Sequence, residues 1–284
     1  MGIKPERCRV VFRKLDRDVE KLAAKQHADA VHSFRTTTRR LQTLLEELVP
    51  ERTRKQKKLL KTLRGIRRQA GKVRDLDVQL AALRSLRVPL EPRRKTKLLQ
   101  ELIELRATLE KKLRKRLTRQ AAREIRRLLK KAEKEIECKR SLDPLEMARE
   151  VLSRGAAPAG PLTEDALHHC RLLVKRARYT AEFAPESAAA TEFIAQLKRL
   201  QDILGNWHDW LALTRTAAER LGSVNQSPLV AVLHNVTGGK MRNAVAAVTA
   251  SPALQRGPKA VPSRAVRKVE TKPGRPAARR DTAA

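Results

Sequence analysis

Two segments of the chain place a histidine and several basic side chains on one helical face, at spacings suited to binding a repeating anion. The first, VHSFRTTTRRLQTLLEEL, contains His32, Arg35 and Arg39. At about 100° per residue these three and Gln42 fall within roughly 80° of one face, whereas the apolar residues centre on another. Guanidinium groups match phosphate oxygens in bidentate fashion, so a helix that carries one on each turn can follow a chain of phosphates.

The second segment, LHHCRLLVKRARYTAEF, repeats this arrangement 136 residues later. It supplies the basic stripe His168, Arg171, Lys175 and Arg178. Arg40 and Arg176 also match at this offset, but they point to another side of the helical wheel. The duplication is the reason for assigning both of them to the same anion-binding site. For any single arginine the alternative is a solvated charge that keeps a helical protein soluble.

A glycine followed four residues later by an aspartate also occurs twice, in GKVRDLDVQLAAL and GNWHDWLALT. The two aspartates, Asp75 and Asp209, are 134 residues apart. Each is expected to orient the histidine or arginine of its own half through a charge-assisted hydrogen bond. A local helix pair with Arg74 or Lys72 is the alternative for the first of them.

A further cationic line precedes the first of these aspartates. It consists of Lys57, Lys61, Arg64 and Arg68, at steps of four, three and four residues. Only Arg64 has a clear basic counterpart in the second half, which is Lys198. These five side chains are added to the predicted anion-binding set.

The elements that must position these residues are helices packed on helices. The chain is 41% apolar but only 2% aromatic, so its core must be built from aliphatic side chains. No stretch alternates with period two, and the predicted fold class is all-α. Leucines spaced by three or four from Arg93 to about Cys138 predict one long amphipathic helix that could be bent. Thr163 is a predicted N-cap, and helices follow to about Pro185, from Glu186 to Leu221 and from Pro228 to Ala250.

The net charge of +33 points to a polyanionic partner. Residues 1–50 carry a net +4, residues 51–140 carry +21, residues 141–250 carry +1 and residues 251–284 carry +7. The first half and the C-terminal end therefore hold nearly all the excess charge.

Two spaced motifs that recur in order indicate an internal duplication. The predicted organisation is a first helical repeat over residues 1–142, a second over 143–250, and a tail over 251–284. The tail is rich in Pro, Ala and basic residues, has few large apolar side chains, and is expected to be disordered.

The pattern HxxRxxxRR on one helix, followed by a leucine-rich helix ending in GxxxD, with both repeated, resembles the CHAD domain, the conserved histidine α-helical domain. The resemblance covers nearly the whole chain before the tail. It implies a helical duplication that binds inorganic polyphosphate through basic residues, as in a family some of whose members associate with polyphosphate granules. The predicted function is therefore polyphosphate binding, without catalysis. The chain departs from the family pattern at Thr36 to Thr38, where apolar residues are more typical, and in its basic tail.

Other chemistry is poorly supported by the sequence, and no cofactor or metal is expected. The histidines do not form a pair at i, i+4. The EIECK segment has the ExExK form of the triphosphate-tunnel hydrolases, but it ends a charged helix, and chance occurrence is the preferred interpretation. Trp207 and Trp210 are expected to pack between helices rather than to stack on a ligand.

Two rival functions stay open at this point. A DNA- or RNA-binding protein would explain the charge equally well, and the tail could contact nucleic acid, but the scarcity of aromatic residues disfavours single-strand binding. A polyphosphate-processing enzyme is disfavoured because carboxylates suited to magnesium do not cluster. The absence of an apolar run or signal peptide predicts no membrane contact, and three cysteines without CxxC pairing predict a cytoplasmic protein.

Overall fold

The computed structural model describes residues 5–87, 92–136, 142–154 and 162–255, and the regular structure in this part of the chain consists of helices joined by short loops, as predicted. The first five helices are α1 (Pro5–Ala24), α2 (Ala28–Thr43), α3 (Arg54–Ser85), α4 (Pro92–Arg116) and α5 (Arg119–Lys134). The remaining five are α6 (Pro144–Ser153), α7 (Glu164–Ala181), α8 (Ala188–Leu221), α9 (Pro228–Thr249) and α10 (Pro252–Gln255). A single π-helical turn, Leu44–Leu48, continues α2.

Side-chain caps set several of these helix starts. The predicted cap at Thr163 is confirmed, because its hydroxyl accepts a hydrogen bond from the Ala166 amide at 3.2 Å. At the start of α3, Thr53 and Gln56 form a capping box in which each side chain bonds the backbone of the other. The long helices that follow therefore begin at defined residues.

The prediction of one long helix, with a bend allowed, from Arg93 to about Cys138 was wrong, because the described residues form two helices. Helix α4 ends at Arg116, and Thr118 starts α5 by accepting from the Ala121 amide at 3.1 Å. Leu113 and Leu117 are both buried beside the break, so the leucine spacing continues across it while the backbone turns. The cap at Thr118 is the local signal for this break.

Three clusters of buried side chains hold the helices together. The first joins α1, α2, α3 and α5 with the C-terminal end of α4, and the second joins α6 to α10. The third lies between the halves, where Leu80 and Leu98 of the first half meet Leu213 and Leu233 of the second. Each half thus has its own core, and a shared core fixes one half against the other.

The departure from apolar residues at Thr36 to Thr38 has a structural counterpart on α1. Thr37 is fully buried, and its hydroxyl donates to Asp18 Oδ2 at 2.6 Å. Ser33 donates to Oδ1 of the same carboxylate at 2.9 Å. Buried hydroxyl groups need partners, and Asp18, itself only 5% exposed, supplies one to both.

The folded part extends into the segment predicted as a tail. Leu254 on α10 is 7% exposed and packs in the second core. Residues 256–284, which contain the rest of the predicted tail, lie outside the described residues, and so does the predicted boundary between the repeats near residue 141.

Candidate functional site

The two sequence motifs occupy equivalent positions in the two halves. His32 is the fifth residue of α2, and His168 is the fifth residue of α7. Asp75 and Asp209 are likewise each the twenty-second residue of α3 and α8. Since α2 packs against α7 and α3 packs against α8, the duplication brings both copies of each motif together.

The centre of this arrangement is a group of four half-buried cations, which we call the central cluster. Its members are Arg35 and Arg39 on α2, and Arg171 and Lys175 on α7. Burial lowers the pKa of Arg171, Asp209 opposes this shift, and Arg39 of the other half adds to it. Burial also lowers the pKa of Lys175, to about 7, with Arg171 and Arg39 acting in the same direction. The cations of the two halves therefore act on one another within a single site.

Two carboxylates on the long helices partly balance the central cluster. Asp75 lies 3.5 Å from a terminal nitrogen of Arg35, within its own half. Asp75 and Asp209 both raise the pKa of Arg35, against the larger effect of burial. Asp209 also raises the pKa of Lys175. Each carboxylate raises the pKa of cations in both halves, so the pair offsets part of the positive charge of the whole cluster. The role of the two aspartates in orienting a histidine or arginine stays a prediction.

The Arg35 guanidinium of α2 packs next to Gly71 on α3. A Cβ atom at Gly71 would lie 3.7 Å from Nη2 of Arg35, which is ordinary van der Waals contact. A larger side chain would occupy the space that the guanidinium uses. At the equivalent Gly205 a Cβ atom would meet no atom within 4 Å, so the second half is more open at this point.

The two histidines lie at the edge of the site and are exposed. Partial burial and the charge of Arg74 lower the pKa of His32. Partial burial and then His208 lower the pKa of His168, whose ring centre is 5.3 Å from that of His208. The sequence analysis did not assign Arg74 and His208 to the site. The two residues are 134 positions apart, which is the same offset as that of the two aspartates.

Arg67 is another residue that the sequence prediction missed. Its guanidinium donates to the side-chain oxygen of Gln42 on α2. Burial lowers the pKa of Arg67, and Arg39 and Arg35 of the central cluster add to the effect. The equivalent position in the second half is Gln201, which is not basic, so the repeated motifs did not indicate Arg67 as a site residue.

The predicted cationic line on α3 is exposed along its whole length. Its members are Lys57, Lys61, Arg64 and Arg68. At 100° per residue, Arg68 and Asp75 differ by about 20° around α3, so the line leads along the helix toward the central cluster. The equivalent positions on α8 hold Thr191, Ala195, Lys198 and Asp202. The cationic approach to the site therefore lies on α3.

Three predicted anion ligands have carboxylate partners instead. Arg40 donates to both oxygens of Glu182, at 2.6 and 3.2 Å, and Arg178 lies 3.6 Å from the same carboxylate. Arg176 donates to Glu47 at 2.5 Å. The pairs made by Arg40 and Arg176 cross between the halves in opposite directions. These contacts support a structural role at the junction of the halves, and anion binding by the three arginines stays a prediction.

The family model of the CHAD domain matches residues 8–218, which is most of the chain and includes both halves of the site. The chain belongs to the CHAD-domain family. The solved structure of the CHAD domain from the plant Ricinus communis resembles it with a TM-score of 0.62 at 15% identity, covering 86% of this chain and 89% of that one. At this identity the likeness shows a shared fold. No curated protein matches the chain in sequence.

Several residues outside the central cluster of this CHAD domain bear on the rival functions. Trp207 is fully buried in the second core, and Trp210 packs against the third, as expected for packing residues. Glu135, the first residue of EIECK, pairs with Lys55 just beyond α5, whereas residues 137–139 lie outside the described part. Among the described residues no group of three or more His, Cys, Asp or Glu could hold a metal ion. Within the same ranges no helix is long and apolar enough to cross a membrane.

Proposed function

We propose that this CHAD-domain protein binds inorganic polyphosphate at the central cluster, without catalysis. The observation that carries the proposal is the convergence of Arg35 and Arg39 with Arg171 and Lys175, from both halves, in one half-buried site. Four cations face two carboxylates there, so the cluster has an excess of positive charge. Burying like charges together is costly, and an anionic occupant would offset that cost.

The geometry of the cluster suits a linear phosphate chain. Residues four apart on a helix are separated by about 6 Å along its axis, so each of α2 and α7 offers a second cation one turn from the first. The fork of a guanidinium can bind two oxygens of one phosphate. The exposed line on α3 would extend contact with a longer chain beyond the central cluster.

Polyphosphate is favoured over nucleic acid because the site offers charge but no platform for bases. Single-strand binders commonly stack bases on aromatic side chains. This chain is only 2% aromatic, and the side chain of Trp207 is fully buried. The association of the CHAD family with polyphosphate agrees with this choice, and the proposal includes a cytoplasmic location with attachment to polyphosphate granules.

The test is a competition between long-chain polyphosphate and duplex DNA of equal total charge at physiological salt. We expect polyphosphate to displace labelled DNA from the fragment 1–255, with affinity that weakens steeply as salt rises. Preference of this fragment for DNA would contradict the proposal.

Incubation with polyphosphate and magnesium should release no phosphate above background, and turnover would contradict the absence of catalysis.

A further inference from the structure

A glycine lies at the same position in each of the two long helices of the site. Gly71 is the eighteenth residue of α3, and Gly205 is the eighteenth residue of α8. Glycine is among the least favourable residues inside a helix. Neither glycine has a positive φ, so the backbone does not require this residue type at either position. The contribution of glycine here is therefore the space that a side chain would fill.

In the first half, the protein itself uses this space. The Arg35 guanidinium lies against Gly71, so that its Nη2 would be 3.7 Å from an added Cβ atom. Nη1 of the same guanidinium is 3.5 Å from Asp75. The guanidinium thus covers the backbone of α3 at the glycine and faces the aspartate one turn further along.

In the second half, the same space is open. An added Cβ atom at Gly205 would meet no atom within 4 Å. Arg171, the counterpart of Arg35, therefore does not cover its glycine in the same way. Its Nε atom is buried and has no hydrogen-bond partner among the described residues. Since buried donors are normally satisfied, this N–H group is available to a ligand.

Two neighbours on α8 border the open surface at Gly205. At about 100° per residue, Gln201 and Asp209 lie about 40° from it on either side, one turn before and one turn after. The side-chain oxygen of Gln201 is also buried without a hydrogen-bond partner in the described part of the chain. Rotation of this amide would turn its NH2 group, which donates two hydrogen bonds, to the same place. The carboxylate of Asp209 sets the opposite limit, because it repels an anion.

We propose that Gly205 is the seat of one phosphate group and a determinant of specificity for inorganic polyphosphate. The phosphate takes the place against α8 that the Arg35 guanidinium takes against α3, and Arg171 donates to it. This inference rests on the proposed function, because the phosphate belongs to the same chain that the central cluster binds. The two glycines are equivalent in sequence, but the first holds an arginine and the second holds the ligand.

A seat this close to a helix backbone discriminates by shape. Each phosphorus of an inorganic phosphate chain is surrounded only by oxygen atoms, so one phosphate can approach the Cα atom of Gly205 directly. In a nucleic acid every phosphate is flanked by sugars, which would meet α7 or α8 first. Non-specific binding of DNA relies on exposed cations instead. Gly205 should therefore matter for polyphosphate and not for DNA.

The experiment replaces Gly205 by alanine and by leucine, and measures the affinity of the full chain for long-chain polyphosphate and for duplex DNA at low salt. The control is Gly239→Leu on α9, which is partly exposed like Gly205 and whose added Cβ atom would lie 3.9 Å from the Arg242 side chain. We expect Gly205→Leu to lower polyphosphate affinity by about tenfold or more. Its DNA affinity, and both affinities of the control, should change by less than about twofold.

The alanine variant separates the loss of a seat from damage to the fold. Alanine favours the helix and meets no atom at this position, so Gly205→Ala should raise the midpoint of urea denaturation. Its methyl group should nevertheless lower polyphosphate affinity by about threefold. Unchanged polyphosphate affinity in this more stable variant would overturn the proposal, even if the leucine variant fails to fold.

The remaining outcomes distinguish this inference from the function on which it rests. Wild-type polyphosphate affinity in a folded Gly205→Leu variant would overturn the seat alone. An equal loss of polyphosphate and DNA affinity would show that leucine displaces the cations rather than a phosphate, and would also overturn the seat. Failure of the wild-type protein to bind polyphosphate would overturn the proposed function itself.

Discussion

Arg40 on α2 donates through Nε to Oε2 of Glu182, just beyond α7, across 2.6 Å, and so ties the first half of the molecule to the second. Both side chains are about one-quarter exposed or less, and the guanidinium reaches both carboxylate oxygens. The side-chain hydrogen bond to Glu182 raises the pKa of Arg40 further. Removing only one member of such an ion pair is costly, because the other member is left partly buried without a partner of opposite charge.

Removing the Arg40 guanidinium should destabilise the protein more than it weakens polyphosphate binding. We expect Arg40→Gln to lower the free energy of unfolding by about 1–3 kcal/mol, measured by urea denaturation. The control is Arg154→Gln, which breaks an exposed pair with Glu150 on α6 and should cost less than about 0.5 kcal/mol. Unchanged stability together with a tenfold loss of polyphosphate affinity would contradict the structural role and show that Arg40 binds the anion.

Binding should weaken as pH rises through the range in which Lys175 loses its proton. The pKa of this amine is lowered to about 7 in the unbound protein, and a bound polyanion favours the charged form. Binding above pH 7 therefore takes up protons, and affinity should fall between about pH 7 and pH 9. Burial lowers the pKa values of His32 and His168 from the usual histidine value, so protonation of the histidines adds affinity only at more acidic pH.

Titration calorimetry of the wild-type protein and Lys175→Arg over this range tests the expectation. The variant keeps the charge at all these pH values, so its affinity should stay nearly constant above pH 7. A decline of the same size in both proteins would assign the pH dependence to another group.

Helix positions were predictable from the sequence because apolar periodicity and caps are local features. The basic stripes were also predictable, since Arg35 and Arg171 recur at a fixed offset within similar segments. The carboxylate partners of Arg40 and Arg176 were not, because they depend on how the halves dock. Arg67 lacks a basic counterpart, and its place beside Arg39 follows from the packing of α2 on α3.

The basic C-terminal segment should strengthen polyphosphate binding through its charge, without determining the preference for polyphosphate over DNA. Residues 256–284 carry nine basic and two acidic side chains. Deleting them, while keeping Leu254 and its packing in the second core, should reduce affinity modestly and flatten the salt dependence. Binding isotherms at several salt concentrations provide the measurement. Complete loss of binding to polyphosphate would move the function into this segment.

The central claim is that cations from both halves form one polyphosphate site, and a charge reversal in the second half tests it most directly. The affinity of long-chain polyphosphate is measured for Arg171→Glu with Lys175→Glu, and for a control, Arg123→Glu with Arg127→Glu, on the exposed face of α5. Both changes alter the formal net charge equally. We expect the first to lower affinity at least tenfold, about 1.4 kcal/mol, and the control to lower it by about twofold or less. Wild-type affinity in the Arg171 and Lys175 variant, with circular dichroism showing an intact fold, would contradict a site shared between the halves.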